Sequence, residues 1–152
     1  MSKKTICLAV SVLVVCLFMS GAVTAQPDKA TPAAPAAADA PRKFVAYYFH
    51  GDFRCDNCKK IEQYSREAID KYFAEQLKSG ELEFKVVNTD RPENRHFIND
   101  YQLYASSLVI AGFKGGIQRT WKNLSGIWNE LDDQEAFHDY VKTEIQKYME
   151  ST

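Results

Sequence analysis

The stretch Phe53-Arg54-Cys55-Asp56-Asn57-Cys58-Lys59-Lys60-Ile61 places two cysteines three positions apart, after one apolar run and before another of different period. Upstream, Phe44-Val45-Ala46-Tyr47-Tyr48-Phe49 is continuous, aromatic and β-branched, as a strand buried on both faces is. Downstream, Ile61, Tyr64, Ala68, Ile69, Tyr72, Phe73 and Leu77 recur at helical spacing, so one helix of about five turns is expected over 57–78, closed by Gly80 as a left-handed cap. The pair therefore sits on a strand-to-helix junction. There the first sulfur meets unpaired backbone N–H groups and the positive end of the helix dipole, which favour thiolate over thiol. The second sulfur, one turn on, is close enough to attack a mixed disulfide and release the product. Cys55 is thus the candidate nucleophile and Cys58 the candidate resolving thiol. Arg54, Lys59 and Lys60 favour the thiolate and Asp56 disfavours it.

Outward from this junction, the elements follow one another at short intervals. Glu81 to Val87 alternates as a strand with one wetter face, with Leu82, Phe84 and Val86 opposite Glu81, Glu83 and Lys85. Asn88-Thr89-Asp90-Arg91-Pro92 breaks it, and a short helix is expected from near Pro92 to about Tyr101. Ser107 to Phe113 reads as a third strand, Lys114-Gly115-Gly116 as a tight turn and Ile117 to Lys122 as a fourth strand. A last helix over about 133–150 turns Phe137, Val141, Ile145, Tyr148 and Met149 inward, with Asp132 and Glu135 as its capping pattern. The order β-α-β-α-β-β-α predicts an α/β sandwich on a mixed four-stranded sheet, its first three strands joined as βαβ units with a hairpin at the edge.

At the amino terminus, Lys3 and Lys4 precede an apolar run from Ile6 to Met19 and the small residues ending Val23-Thr24-Ala25. Residues 1–25 have the form of a secretory signal, which predicts a periplasmic or secreted protein. Retention as an anchor is the alternative, and it is the one route by which the chain would touch a membrane. Residues 26–41, QPDKATPAAPAAADAP, lack any large apolar side chain and read as a linker, leaving 42–152 as the folded domain. Cleavage removes Cys7 and Cys16, so the mature chain keeps only Cys55 and Cys58. With 19 basic against 20 acidic residues, a net charge of −1, the chain has no broad basic field for nucleic acid.

In this setting the sequence resembles the thioredoxin superfamily. The element order matches its βαβαββα fold over 43–150, and Cys55-Asp56-Asn57-Cys58-Lys59-Lys60-Ile61 matches the C-x-x-C-K-x-I that opens the family's first long helix. More narrowly, Tyr48-Phe49-His50-Gly51, Phe53-Arg54-Cys55, Asn94, His96-Phe97-Ile98 and Asp100-Tyr101-Gln102-Leu103 are similar to a small group of exported thioredoxin-like proteins, the nitrophenyl-compound nitroreductase subunit ArsF family. That resemblance implies reduction of nitroaromatic, notably nitrophenyl-arsenical, compounds together with other subunits. It also puts Ser107 where thioredoxins carry a cis-proline opposite the cysteines, and it leaves the first strand without the family's buried acid. Asp52 and Asp56 are the acids near enough to take over proton transfer. Ser107, Phe53 and Arg54 are then the residues expected to face the substrate.

Three functions remain open on these residues. The first is thiol–disulfide exchange between a membrane or periplasmic redox donor protein and a downstream protein partner, with the redox-active disulfide as the only cofactor. The second is electron relay within a nitroaromatic reductase, since the chain carries no flavin or nicotinamide fingerprint of its own. The third is a soft-metal or metalloid module, which needs ligands beyond two thiolates. His50 is a candidate base or ligand, set against a locally hydrogen-bonded loop histidine. Tyr101, Tyr104, Trp121 and Trp128 are candidate stacking surfaces, set against core or rim packing, and His96 and His138 read as polar-face residues.

Overall fold

The computed structural model describes residues 42–152, so the signal and linker expectations lie outside the described residues. Strand β1 (Arg42–His50) is followed by α1 (Asp56–Tyr72), α2 (Ala74–Ser79), β2 (Leu82–Asn88), α3 (His96–Asp100), β3 (Ser107–Lys114), β4 (Ile117–Asn123) and α4 (Gln134–Ser151). Short 3-10 turns at Pro92–Asn94 and Ser125–Trp128 precede α3 and α4. The four-stranded sheet has the order β2-β1-β3-β4. Its strands are mixed: β1 runs parallel to β2 and antiparallel to β3, and β4 runs antiparallel to β3. Among the described residues no helix is long and apolar enough to cross a membrane.

The apolar run of β1 earns its interior place by burying both faces. Phe44, Ala46 and Tyr48 join Leu82, Leu108 and Ile110 beneath Ile61, Ala68 and Ile69 of α1 and Phe137, Val141 and Ile145 of α4. On the opposite face Phe49 meets Val109, Ala111, Tyr101 and Leu103, with Tyr47, Phe97 and Trp121 packed around them. The helix layers are therefore unequal, with two long helices on one side and the short α3 region on the other.

Three expectations are corrected. The single helix over 57–78 is two helices, because Phe73 leaves the helical conformation (φ −126°, ψ 26°) and buries its ring in the core at 5% exposure. Its N–H still reaches Ile69 O at 2.9 Å and its carbonyl restarts the ladder through Leu77 N at 2.9 Å, so no proline or glycine marks the break. The second βαβ unit is not parallel. The five residues of α3 span about 7.5 Å, against roughly 23 Å for a strand the length of β2. The chain therefore re-enters the sheet at the end where β2 left it, with His50 beside Asn88 and Phe49 beside Ser107. Finally, the α4 cap is Asp133, not Asp132: its carboxylate accepts from Glu135 N at 2.9 Å and Ala136 N at 3.1 Å. The β3–β4 turn is as expected, with Gly115 and Gly116 at φ 60° and 78°, the positive pair a two-residue hairpin turn demands.

Candidate functional site

Where β1 ends, Gly51–Arg54 carries the chain to Cys55, which is the N-cap of α1 (φ −67°, ψ 164°). The Cys55 sulfur accepts a hydrogen bond from Cys58 N at 3.0 Å, so it occupies the place a serine or aspartate side chain takes at an ordinary helix start. Cys55 and Cys58 are joined in a disulfide with their Cα atoms 5.0 Å apart. Cys58 is 8% exposed and Cys55 is half-buried, so Cys55 is the more accessible of the two.

The loop that presents the pair is held by the β2–α3 connection. Thr89 donates to His50 O through its N–H (2.8 Å) and its hydroxyl (3.1 Å). Asp52 N donates to Asp90 Oδ2 at 2.6 Å, while Asn88 Nδ2 donates to Asp52 Oδ1 at 2.6 Å. A Cβ at Gly51 would lie 2.8 Å from Asp90 Oδ2, so a side chain there would displace the carboxylate that accepts from Asp52 N. Asn88, Thr89 and Asp90 are read from the sequence only as a strand breaker, and their role in holding the loop has no signal there. Asp52 is spent on this brace and on Arg91 at 3.5 Å, and Asp56 lies 3.6 Å from Lys59. The charges named around the cysteines are thus largely paired.

Arg54 turns inward. Its guanidinium pairs with Glu62 on α1 and lies 5.9 Å from the Tyr48 ring centroid. Tyr48, fully buried, donates its phenol hydrogen to Cys58 O at 2.5 Å. Burial raises the Tyr48 pKa, with the Ser106 hydroxyl and the Arg54 charge opposing it, so the phenol stays a protonated donor. Ser107 is 6% exposed and donates its hydroxyl to Ala105 O at 2.9 Å, so its side chain is engaged by the backbone just before it. All peptide bonds among the described residues are trans.

Phe53 is 86% exposed and Tyr104 95% exposed. With His50, Thr89, Ile98 and Ser106 they line a cleft of about 270 Å³ beside the dithiol loop. Tyr104, for which core or rim packing is set against a stacking surface, stands outside the core, whereas Tyr101 is buried and meets Trp121 at 5.4 Å between ring centroids. Trp128 sits at the rim and donates to Ser106 O at 3.1 Å. His50 takes the local role, its Nδ1 donating to Gly51 O at 2.8 Å. His138 is not a polar-face residue: it is 8% exposed, 3.4 Å from Glu67 across the α1–α4 interface. Among the described residues no group of three or more His, Cys, Asp or Glu comes together as a metal site would need. A larger cavity, about 720 Å³, lies at the other end of the sheet among Lys43, Val45, Tyr47, Lys85 and Phe113. Its lining holds no cysteine and shares no residue with the dithiol loop.

A disulfide at the first turn of the helix that follows the central strand, on a sheet of order β2-β1-β3-β4, decides the fold. The fold is thioredoxin-like. No family model matches the chain, and no curated protein sequence matches it. Among solved structures it is similar to oxidised thioredoxin O2 of Arabidopsis thaliana, at 20% identity and TM-score 0.36, over 53% of this chain and 63% of that one. Similar too are a Fasciola hepatica thioredoxin (19%, TM-score 0.36, 60% of this chain and 81% of that one) and one from Thermus thermophilus (18%, TM-score 0.35, 59% and 72%). Within this frame the N-cap cysteine is the more exposed of the pair, and the buried side chain bonded to the Cys58 carbonyl is a tyrosine.

Proposed function

We propose that the protein is an exported thiol–disulfide oxidoreductase that exchanges electrons with protein partners through Cys55 and Cys58. The observation that carries this reading is the Cys55–Cys58 disulfide at the N-terminus of α1, its outer sulfur already accepting a backbone N–H. In the reducing direction the Cys55 thiolate attacks a partner disulfide, forming a mixed disulfide and releasing one partner sulfur as a thiolate that takes up a proton. The Cys58 thiolate then attacks Cys55, the Cys55–Cys58 bond forms, and the second partner sulfur leaves and is protonated. Two electrons have passed to the partner, and a redox donor protein restores the dithiol by the reverse exchange. Purified wild-type protein is expected to reduce glutathione disulfide when supplied with a dithiol donor, and Cys55→Ser to be inactive. A Cys55→Ser variant as active as wild type overturns the reading.

Export is supported by the charged, apolar and small-residue pattern of residues 1–25. Amino-terminal sequencing of the mature protein tests it, with Gln26 as the expected first residue. The finer role, relay subunit of a nitrophenyl reductase whose partner carries the nitro chemistry, rests on the residues shared with the ArsF family. A Cys58→Ser variant, which retains the mixed disulfide, is expected to capture a flavin- or metal-bearing partner. Recovery of flavin on this chain itself contradicts the relay role.

A further inference from the structure

We propose that Tyr48 is a positioning residue for the dithiol: its hydroxyl holds the Cys58–Lys59 peptide and so keeps Cys58 within reach of Cys55 when the disulfide is open. The inference rests on the exchange reading above and assigns a role within it. Two hydrogen bonds carry the argument. The Tyr48 hydroxyl donates to Cys58 O at 2.5 Å, and Lys59 N, on the other side of the same peptide plane, donates to Cys55 O at 3.0 Å. One rigid peptide unit therefore connects the central strand to the backbones of both cysteines.

In the oxidised protein the sulfur–sulfur bond already ties the two residues together. In the dithiol and in a mixed disulfide that bond is gone, and what remains is the Cys58 N–H to Cys55 sulfur bond together with the peptide held by Tyr48. Tyr48 suits the task because it cannot move away. Its ring is fully buried on β1, among residues of the α1–α4 core. Arg54, bound to Glu62, lies over the ring. A buried phenol drawn away from the Cys58 carbonyl would give up that hydrogen bond, which opposes any drift of the helix start from the sheet.

The kinetic consequence falls on the second step of exchange. There Cys58 attacks Cys55 Sγ, the bond from Cys55 to the partner sulfur breaks, and the partner sulfur leaves as a thiolate that takes up a proton. The rate and the equilibrium of that closure scale with the effective concentration of Cys58 at Cys55. Removing one hydrogen bond that sets it is expected to lower closure by about three- to tenfold.

The test equilibrates wild type, Tyr48→Phe and Tyr148→Phe with glutathione buffers, quenches with acid and counts dithiol, glutathione mixed disulfide and intramolecular disulfide by intact mass. Tyr148, whose phenol meets the Thr120 hydroxyl at 2.6 Å, controls for loss of a phenol elsewhere in the same core. The expected result is a mixed-disulfide share, relative to closed disulfide, raised about three- to tenfold in Tyr48→Phe and unchanged in Tyr148→Phe. An unchanged ratio in Tyr48→Phe overturns the proposal while the exchange reading stands. A wild type that forms neither glutathione adduct nor disulfide overturns both. A second measurement needs no variant: in the reduced wild type the Lys59 amide is expected to keep its protection from hydrogen exchange, and its loss on reduction overturns the proposal.

Discussion

At the His50 end of β1 the chain gathers a disulfide, a small cleft and a loop tied down by Thr89 and Asp90, whereas at the Arg42 end it leaves its larger hollow, floored by Val45, Tyr47 and Phe113. The rim of the larger hollow is a surface ion-pair row in which Glu83 meets Lys43 at 2.5 Å and Lys85 at 2.9 Å. Such exposed pairs contribute little stability and offer no reacting atom. The smaller site holds the sulfur pair, with a backbone N–H donated to one sulfur and side-chain hydrogen bonds fixing the loop that carries it. Volume alone points to the wrong end of the sheet.

The contrast is broken most directly at the nucleophile. Cys55→Ser is expected to lower disulfide exchange by about a thousandfold or more, while Lys85→Ala at the far end leaves the rate unchanged; insulin reduction followed by turbidity reads both. Next in size is Gly51→Ala. Its new methyl would lie 2.8 Å from Asp90 Oδ2, so the carboxylate has to turn away and the loop loses its bond from Asp52 N. The expected cost is about tenfold in the same assay, with the fold intact by circular dichroism. At the other end, Val45→Ala removes buried methyls from a residue 3% exposed. It is expected to cost about 2 kcal/mol in urea unfolding and to leave the exchange rate where it was. A far-end variant that slowed exchange at constant stability would erase the distinction between the ends.

The smallest effect lies between them, at Tyr101, which packs against Tyr47 at 6.0 Å and Phe49 at 5.3 Å between ring centroids. Burial pushes its phenol up to about 12, with the Tyr47 phenol and the Asp100 carboxylate adding to the shift. An unfolded tyrosine titrates near 10. Between about pH 10 and 12 the unfolded chain gives up a proton that the folded chain keeps, so stability is complete below that window and declines as pH rises through it. Tyr101→Phe is expected to flatten that part of the decline in denaturation midpoints measured across the window.

What could be read from the sequence was whatever depends on neighbours in the chain. The β1 run, the α4 periodicity, the Gly115-Gly116 turn and the placement of Cys55 at a helix start are local patterns, and they recur in the structure. What escaped depends on residues far apart in sequence. Phe73 breaks its helix to bury a ring, and nothing in an uninterrupted helical period announces that. The direction of β3 follows from how little distance α3 covers, not from the alternation of strands and helices. Tyr48 looked like one more aromatic of a buried strand, and only its approach to Cys58 O separates it from its neighbours. Arg54 was legible as a charge beside a thiol, yet Glu62, two turns into α1, decides where that charge points. Asp132 and Asp133 are adjacent carboxylates, and backbone geometry alone selects the second as the cap.

The Gly115-Gly116 turn has a practical consequence. Lys114 pairs with Arg42, so the hairpin tip stands at the opposite end of the sheet from the disulfide. A dye, an affinity handle or an electrode linker grafted there would leave the cysteine-bearing loop facing outward. Every molecule on a surface would then present its sulfurs to the medium in the same orientation.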